Sequence, residues 1–123
     1  IFQRDRSKSE PHPWQDALGF YNDICEHIAH VHVKDCQYPG RGKSEPLYTL
    51  PGAGDGKLIH ILRDLKAHHY KGGIAIEPHV ATVFRVEEGQ EPDWKQCYDS
   101  YIQYGEKMEA LLESIGWSPE DAE

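Results

Sequence analysis

The chain has 123 residues, 38% of them hydrophobic, and a formal net charge of -8, enough for one modest domain with a real core. The acidic balance argues against a nucleic-acid surface, because phosphate binding needs clustered Lys and Arg and here they are scattered among acids. No apolar run approaches the roughly 20 residues of a membrane span. Three cysteines, Cys25, Cys36 and Cys97, form no C-x-x-C pair and suit a reducing, cytoplasmic setting better than a disulfide scaffold. The chain opens on Ile1, amid what reads as loop, so the expectation is one partial domain over residues 1–123, a piece of a longer protein.

Pro11 and Pro13 lead into a first predicted helix, with Trp14, Ala17, Leu18, Tyr21, Ile24 and Cys25 at helical spacing. A strand is predicted from His27 to Lys34. An irregular stretch rich in Pro and Gly follows from Asp35 to Gly56, and so long a loop is usually functional or disordered. A second helix runs from about Lys57 to His69 on a stripe of Leu58, Ile61, Leu62 and Leu65; Asp55 or Gly56 caps it, ahead of the alternative that its N-terminus receives a phosphate or sugar oxygen. Tyr70-Lys71-Gly72-Gly73 turns into a second strand, read over Gly73 to His79. After a loop over residues 80–92, a long helix carries Trp94, Tyr98, Tyr101, Ile102, Gly105, Met108, Leu111, Leu112 and Ile115, read together as a packing stripe.

Successive side chains on a strand point to opposite faces. In His30-Val31-His32-Val33-Lys34-Asp35 that rule puts His30, His32 and Lys34 on one face and both valines on the other. In Gly73-Ile74-Ala75-Ile76-Glu77-Pro78-His79 it sets the isoleucines against Ala75, Glu77 and, past the proline, His79. Helix and strand alternation predicts a parallel sheet, and polar side chains late in each strand favour a (β/α)8 barrel, whose ligands sit at strand C-terminal ends. His32 and Glu77 are the candidate metal ligands, since imidazole and carboxylate both bind divalent first-row ions. The alternative is a hydrogen-bonded core histidine and a surface carboxylate. His30 lies deeper and either supports the site from behind or is a plain buried histidine. Lys34 either holds a substrate oxygen or forms an ion pair with Glu77. Asp35 alternates outward and either pairs with loop backbone or caps the turn. Cys36 either lies buried or reaches the pocket.

Taken with Pro51-Gly52-Ala53-Gly54-Asp55-Gly56, Ile61-Leu62-Arg63-Asp64-Leu65-Lys66 and Ile76-Glu77-Pro78-His79, the block from Ile28 to Asp35 resembles the sugar phosphate isomerase/epimerase family. These are xylose-isomerase-like TIM barrels that share their fold with endonuclease IV. The resemblance covers roughly residues 14–115 and implies the C-terminal part of a TIM barrel, from its sixth helix through strands seven and eight to its last helix. It implies that His32 and Glu77 hold a divalent ion, Mn²⁺ first, with Mg²⁺, Co²⁺ or Zn²⁺ as alternatives. Glu77 is then also the catalytic group that moves the proton next to a carbonyl, while the ion polarises the substrate oxygens. His30, Lys34, Arg41 and His79 become substrate contacts. Family members place an arginine just after the seventh strand; here Arg41 comes further on.

The expected function is therefore a metal-dependent isomerase or epimerase of a sugar, sugar phosphate or related polyol, with a small-molecule partner and homo-oligomerisation left open. The resemblance leaves two alternatives: an inosose dehydratase-like lyase of the same fold, and a non-catalytic carbohydrate-binding barrel. On its own the chain is expected to bind metal weakly and to be inactive, lacking the family's remaining acidic ligands.

Overall fold

The structure, a computed structural model, describes residues 7–9, 13–38, 46–79 and 93–118. These form a mixed α/β arrangement in the order α1 (Ala17–Ile24), a 3₁₀ turn (Cys25–His27), β1 (His30–Val33), β2 (Asp35–Gln37), β3 (Leu47–Thr49), α2 (Leu58–Ala67), β4 (Gly73–Ile76) and α3 (Trp94–Ser114). β1 and β4 run parallel, with His30 opposite Gly73 and Val33 opposite Ile76, and α2 lies in the crossover between them. β2 and β3 form an antiparallel pair in which Cys36 faces Tyr48.

Local chemistry accounts for most helix ends. Asp16 starts α1 by accepting a hydrogen bond from the Leu18 amide at 3.1 Å, and Asp93 starts α3 by accepting one from Gln96 at 3.0 Å. α3 stops at Gly116, whose φ of 69° suits a residue without Cβ. There the Trp117 amide donates to Leu112 O and the Gly116 amide to Glu113 O, a Schellman closure that swings Trp117 into the core. Lys66 of α2 donates to the carbonyls of Ile115 and Gly116, placing a cation on the negative end of α3.

The core gathers Tyr21, Val33, Leu62, Leu65, Tyr104, Met108, Leu111 and Trp117, with Val31, Ile74 and Ile76 packed against it. The apolar face of the parallel sheet thus meets all three helices, as the strand alternation predicts. His30 and His32 lie exposed on the other face.

Several expectations change. The first strand begins at His30 rather than His27, because Cys25–His27 continue the helix as a 3₁₀ turn. The stretch from Asp35 to Gly56 is not wholly irregular: it holds the β2–β3 pair. Neither Asp55 nor Gly56 caps α2. Lys57 occupies that position with φ of 58°, and Asp55 instead accepts from the Tyr38 amide at 2.7 Å. The stripe on α3 splits in two, since Trp94, Tyr98, Tyr101 and Ile102 are 45–67% exposed while the core takes Tyr104, Met108 and Leu111. Tyr104 was absent from the predicted stripe, yet it is among the most buried side chains.

Candidate functional site

The parallel pairing of β1 and β4 continues one step past the strands, where the Glu77 amide donates to Val33 O at 2.9 Å. That bond brings the first residue beyond β4 alongside the end of β1, so Glu77 and Lys34 emerge at the same C-terminal edge. Lys34 Nζ lies 2.8 Å from Glu77 Oε1, and His79 Nε2 lies 2.9 Å from the same oxygen. The other oxygen, Oε2, faces His32 Nε2 at 3.5 Å, too long for a strong hydrogen bond. One carboxylate is therefore held by two donors on one side and turned toward an imidazole on the other.

Electrostatics follow from this arrangement. The hydrogen bond from Lys34 is the largest influence on Glu77 and holds its carboxyl below the usual carboxylate range, despite some opposing desolvation. Burial, then repulsion from the Lys34 ammonium, push the His79 imidazole below its ordinary value, while Glu77 pulls the other way. His79 is thereby biased toward the neutral ring, and its contact with a carboxylate oxygen assigns the proton to Nε2. The His79 ring stacks on Tyr48 of β3, with centroids 5.0 Å apart and planes 27° from parallel.

Asp35 anchors the surrounding loops. Its carboxylate, 3% exposed, accepts from the amides of Cys36 at 2.9 Å, Gly52 at 2.9 Å and Gly54 at 3.0 Å. Its own amide donates to the Tyr104 hydroxyl at 3.2 Å. A Cβ on Gly54 would lie 2.1 Å from Asp35 Oδ1, so the close approach of this loop requires glycine. The expected pairing of Asp35 with loop backbone is what the structure has, although the side chain is buried rather than turned outward.

Of the predicted site residues, the structure brings together His32, Lys34, Glu77 and His79. His30, two residues back on the same face, is exposed rather than buried and stands opposite Gly73. His32 is not a core histidine either, its side chain being 56% exposed. Arg41 lies outside the described residues. Cys36 is buried and its thiol is pushed up to about 12, mainly by that burial, so it does not open to the site. Sequence reasoning missed Tyr48, whose only local signal was an aromatic in a Pro-bounded segment.

As a metal shell the group is incomplete. Among the described residues, no three His, Cys, Asp or Glu side chains converge as a metal requires. The His32–Glu77 pair does have the right spacing for half of one. Two ligands each about 2.1 Å from an ion and at a tetrahedral angle stand about 3.4 Å apart, and the observed separation is 3.5 Å. Among the described residues, no helix is long and apolar enough to cross a membrane. No family model, curated protein or solved structure matches the chain.

Proposed function

We propose that the chain forms the C-terminal portion of a (β/α)8 barrel in a metal-dependent isomerase or epimerase of a sugar, sugar phosphate or polyol, with Glu77 as catalytic base and His32 and Glu77 as metal ligands. The observation that carries this is the division of labour between the two oxygens of Glu77. Oε1 is taken by Lys34 and His79, which leaves Oε2 facing His32 at ligand spacing on the exposed face of a parallel strand pair. Site groups clustered at strand C-terminal ends are what a barrel provides.

Among the described residues the parallel sheet has two strands, which supports the barrel. Parallel sheets as small as two strands are uncommon, because both faces and both edges need cover. A groove of about 220 Å³ runs along every residue from His30 to Asp35, walled by Phe20, Ile24 and Leu58, with no residue of β4 in its lining. A second groove, of about 520 Å³, follows residues 70–74 beside Leu112 and Trp117 and includes no residue of β1. Each groove offers an apolar bed beside a strand that has no second neighbour among the described residues, as a flanking barrel strand requires.

In this reading His32 and Glu77 would hold a divalent ion, which when bound would supply polarisation of the carbonyl and hydroxyl oxygens of the substrate. Glu77 would remove the proton from the adjacent carbon; its return to the former carbonyl carbon gives isomerisation, whereas epimerisation needs a second acid on the opposite face of the enediolate, from outside the described residues. Lys34 keeps Glu77 ionised and ready at neutral pH. When its ammonium turns toward a substrate oxygen, the carboxylate loses a stabilising donor and becomes a stronger base at the moment it is needed. His79 keeps Oε1 oriented throughout. The remaining ligands would come from donors outside the described residues and from substrate oxygens.

Mn²⁺ binding, followed by the electron paramagnetic resonance signal of the free ion, tests the assignment with Glu77→Gln and His32→Asn. Each variant should weaken binding by about tenfold or more, as loss of a ligand does. Deuterium uptake next to the carbonyl of small ketoses, read in the assembled barrel, should disappear with Glu77→Gln. Unchanged affinity in both variants refutes the ligand assignment, and unchanged deuterium uptake refutes the base.

A further inference from the structure

The β2–β3 pair has no part in the chemistry proposed above, yet it carries an aromatic ring directly onto the group that holds Glu77. We infer that Tyr48 is a positioning residue for the Glu77 carboxylate, acting through His79. What Glu77 does once positioned rests on the proposed function; the positioning itself rests on the stack.

Three contacts in series make the device. Tyr48 lies opposite Cys36 in the β2–β3 register. The Cys36 strand is pinned at both sides, because the Cys36 amide donates to Asp35 Oδ1 and the Asp55 amide donates to Cys36 O at 2.9 Å. Tyr48 therefore sits on an anchored strand and not on a free loop. Its ring faces His79 at 5.0 Å, in the offset, tilted stack that aromatic pairs favour. The imidazole has two torsions to fix and directly follows Pro78. A stacked face restricts its rotation and leaves Nε2 aimed at Oε1 at 2.9 Å. With Oε1 fixed, the planar carboxylate has only one place for Oε2, toward His32. Groups one contact removed from a ligand tune it in this way by fixing its orientation.

Tyr48 is half-buried on a short strand, and its hydroxyl is not needed for a stack. Tyr48→Phe should therefore preserve function, while Tyr48→Leu and the strand-compatible Tyr48→Thr remove the aromatic face. The experiment measures Mn²⁺ affinity of the chain and its variants, together with the ¹³C shifts of Glu77 Cδ and His79 Cε1 without metal. Tyr48→Leu and Tyr48→Thr should each weaken Mn²⁺ binding by about threefold to tenfold, with Tyr48→Phe at the wild-type value. In a His79→Gln background, Tyr48→Leu should add nothing further, since its effect passes through the imidazole. Additive losses, or equal affinity of Tyr48→Leu and Tyr48→Thr with wild type, overturn the inference. Should the wild-type chain bind no Mn²⁺, the ligand assignment falls and the metal-free shifts decide the positioning separately. Both ¹³C signals moving in Tyr48→Leu and staying put in Tyr48→Phe sustain it, and both unmoved in Tyr48→Leu overturn it. A variant that loses its far-ultraviolet circular dichroism is replaced by the other of the pair.

Discussion

Replacing Asp35 by Asn probes the strongest polar anchor in the structure. The native carboxylate is 3% exposed and accepts three amide hydrogen bonds, one on Oδ1 and two on Oδ2. Hydrogen bonds to a charged group contribute about 1.5–3 kcal/mol each. Asparagine keeps a single acceptor oxygen. Placed at the Oδ2 position it retains Gly52 and Gly54, but its NH₂ then faces the Cys36 amide, donor against donor. One charge-assisted bond is lost, the other two weaken, and Asp35→Asn should destabilise by about 2–4 kcal/mol. Asp35→Ala releases all three amides. Gly52 is exposed and recovers water, so the cost rises only to about 3–5 kcal/mol. Against a stability of roughly 6–18 kcal/mol for a domain of this length, either change is large. Urea unfolding followed by circular dichroism measures both, with an unchanged slope confirming that native stability has moved. An Asp35→Asn variant within 0.5 kcal/mol of wild type would show that the carboxylate charge is not what holds the loop.

Tyr21 donates to Asp64 Oδ2 at 2.6 Å across the α1–α2 contact. Tyr21→Phe should cost about 1–2 kcal/mol in the same urea experiment, and a neutral result would mean that the ring alone holds the helices. Gly116→Ala places a Cβ at φ of 69° and 3.2 Å from Lys66 Nζ, so it should cost about 1 kcal/mol, and an increase in stability would contradict the Schellman closure. Cys36 and Tyr104 are both pushed up to about 12, chiefly by burial. Their neutral forms are favoured in the folded state, so this contribution is complete below the unfolded values and is lost as pH climbs from there toward about 12. Stability should fall by about 1.4 kcal/mol per pH unit for each group in the window it titrates, and Cys36→Ala should flatten the part that begins near 8.5. The same burial should make Cys36 react with a maleimide at pH 8 on the order of a hundredfold more slowly than Cys97; equal rates would place the thiol in solvent.

How much could be read from the sequence depended on how far each signal reaches along the chain. Strand alternation is a local property, and it placed His30, His32 and Lys34 opposite Val31 and Val33 correctly. The apolar spacing of α2 is equally local, and Leu62 and Leu65 are buried as that spacing requires. Polar positions on two strands gave His30, His32, Lys34, Glu77 and His79 as candidates; the last four meet around the Glu77 carboxylate, while His30 stands apart from it. The β2–β3 pair was hidden because its strands are three residues each and are separated by Pro39, Gly40, Gly42 and Pro46, a composition that reads as loop.

Sequence by itself therefore determined the α/β class and which faces of β1 and β4 are apolar, because each depends on neighbours within a few residues. Tertiary structure alone decided that Tyr104 is buried while Trp94 and Tyr98 are not, since helical periodicity reveals an apolar stripe but not which part of it is covered. It also decided that Asp35, 69 residues before Tyr104, ends in a buried socket of amides, and that Tyr48 lies on His79. Those contacts join segments far apart in the chain. Their pairing is set by where the core closes, and no local preference records that.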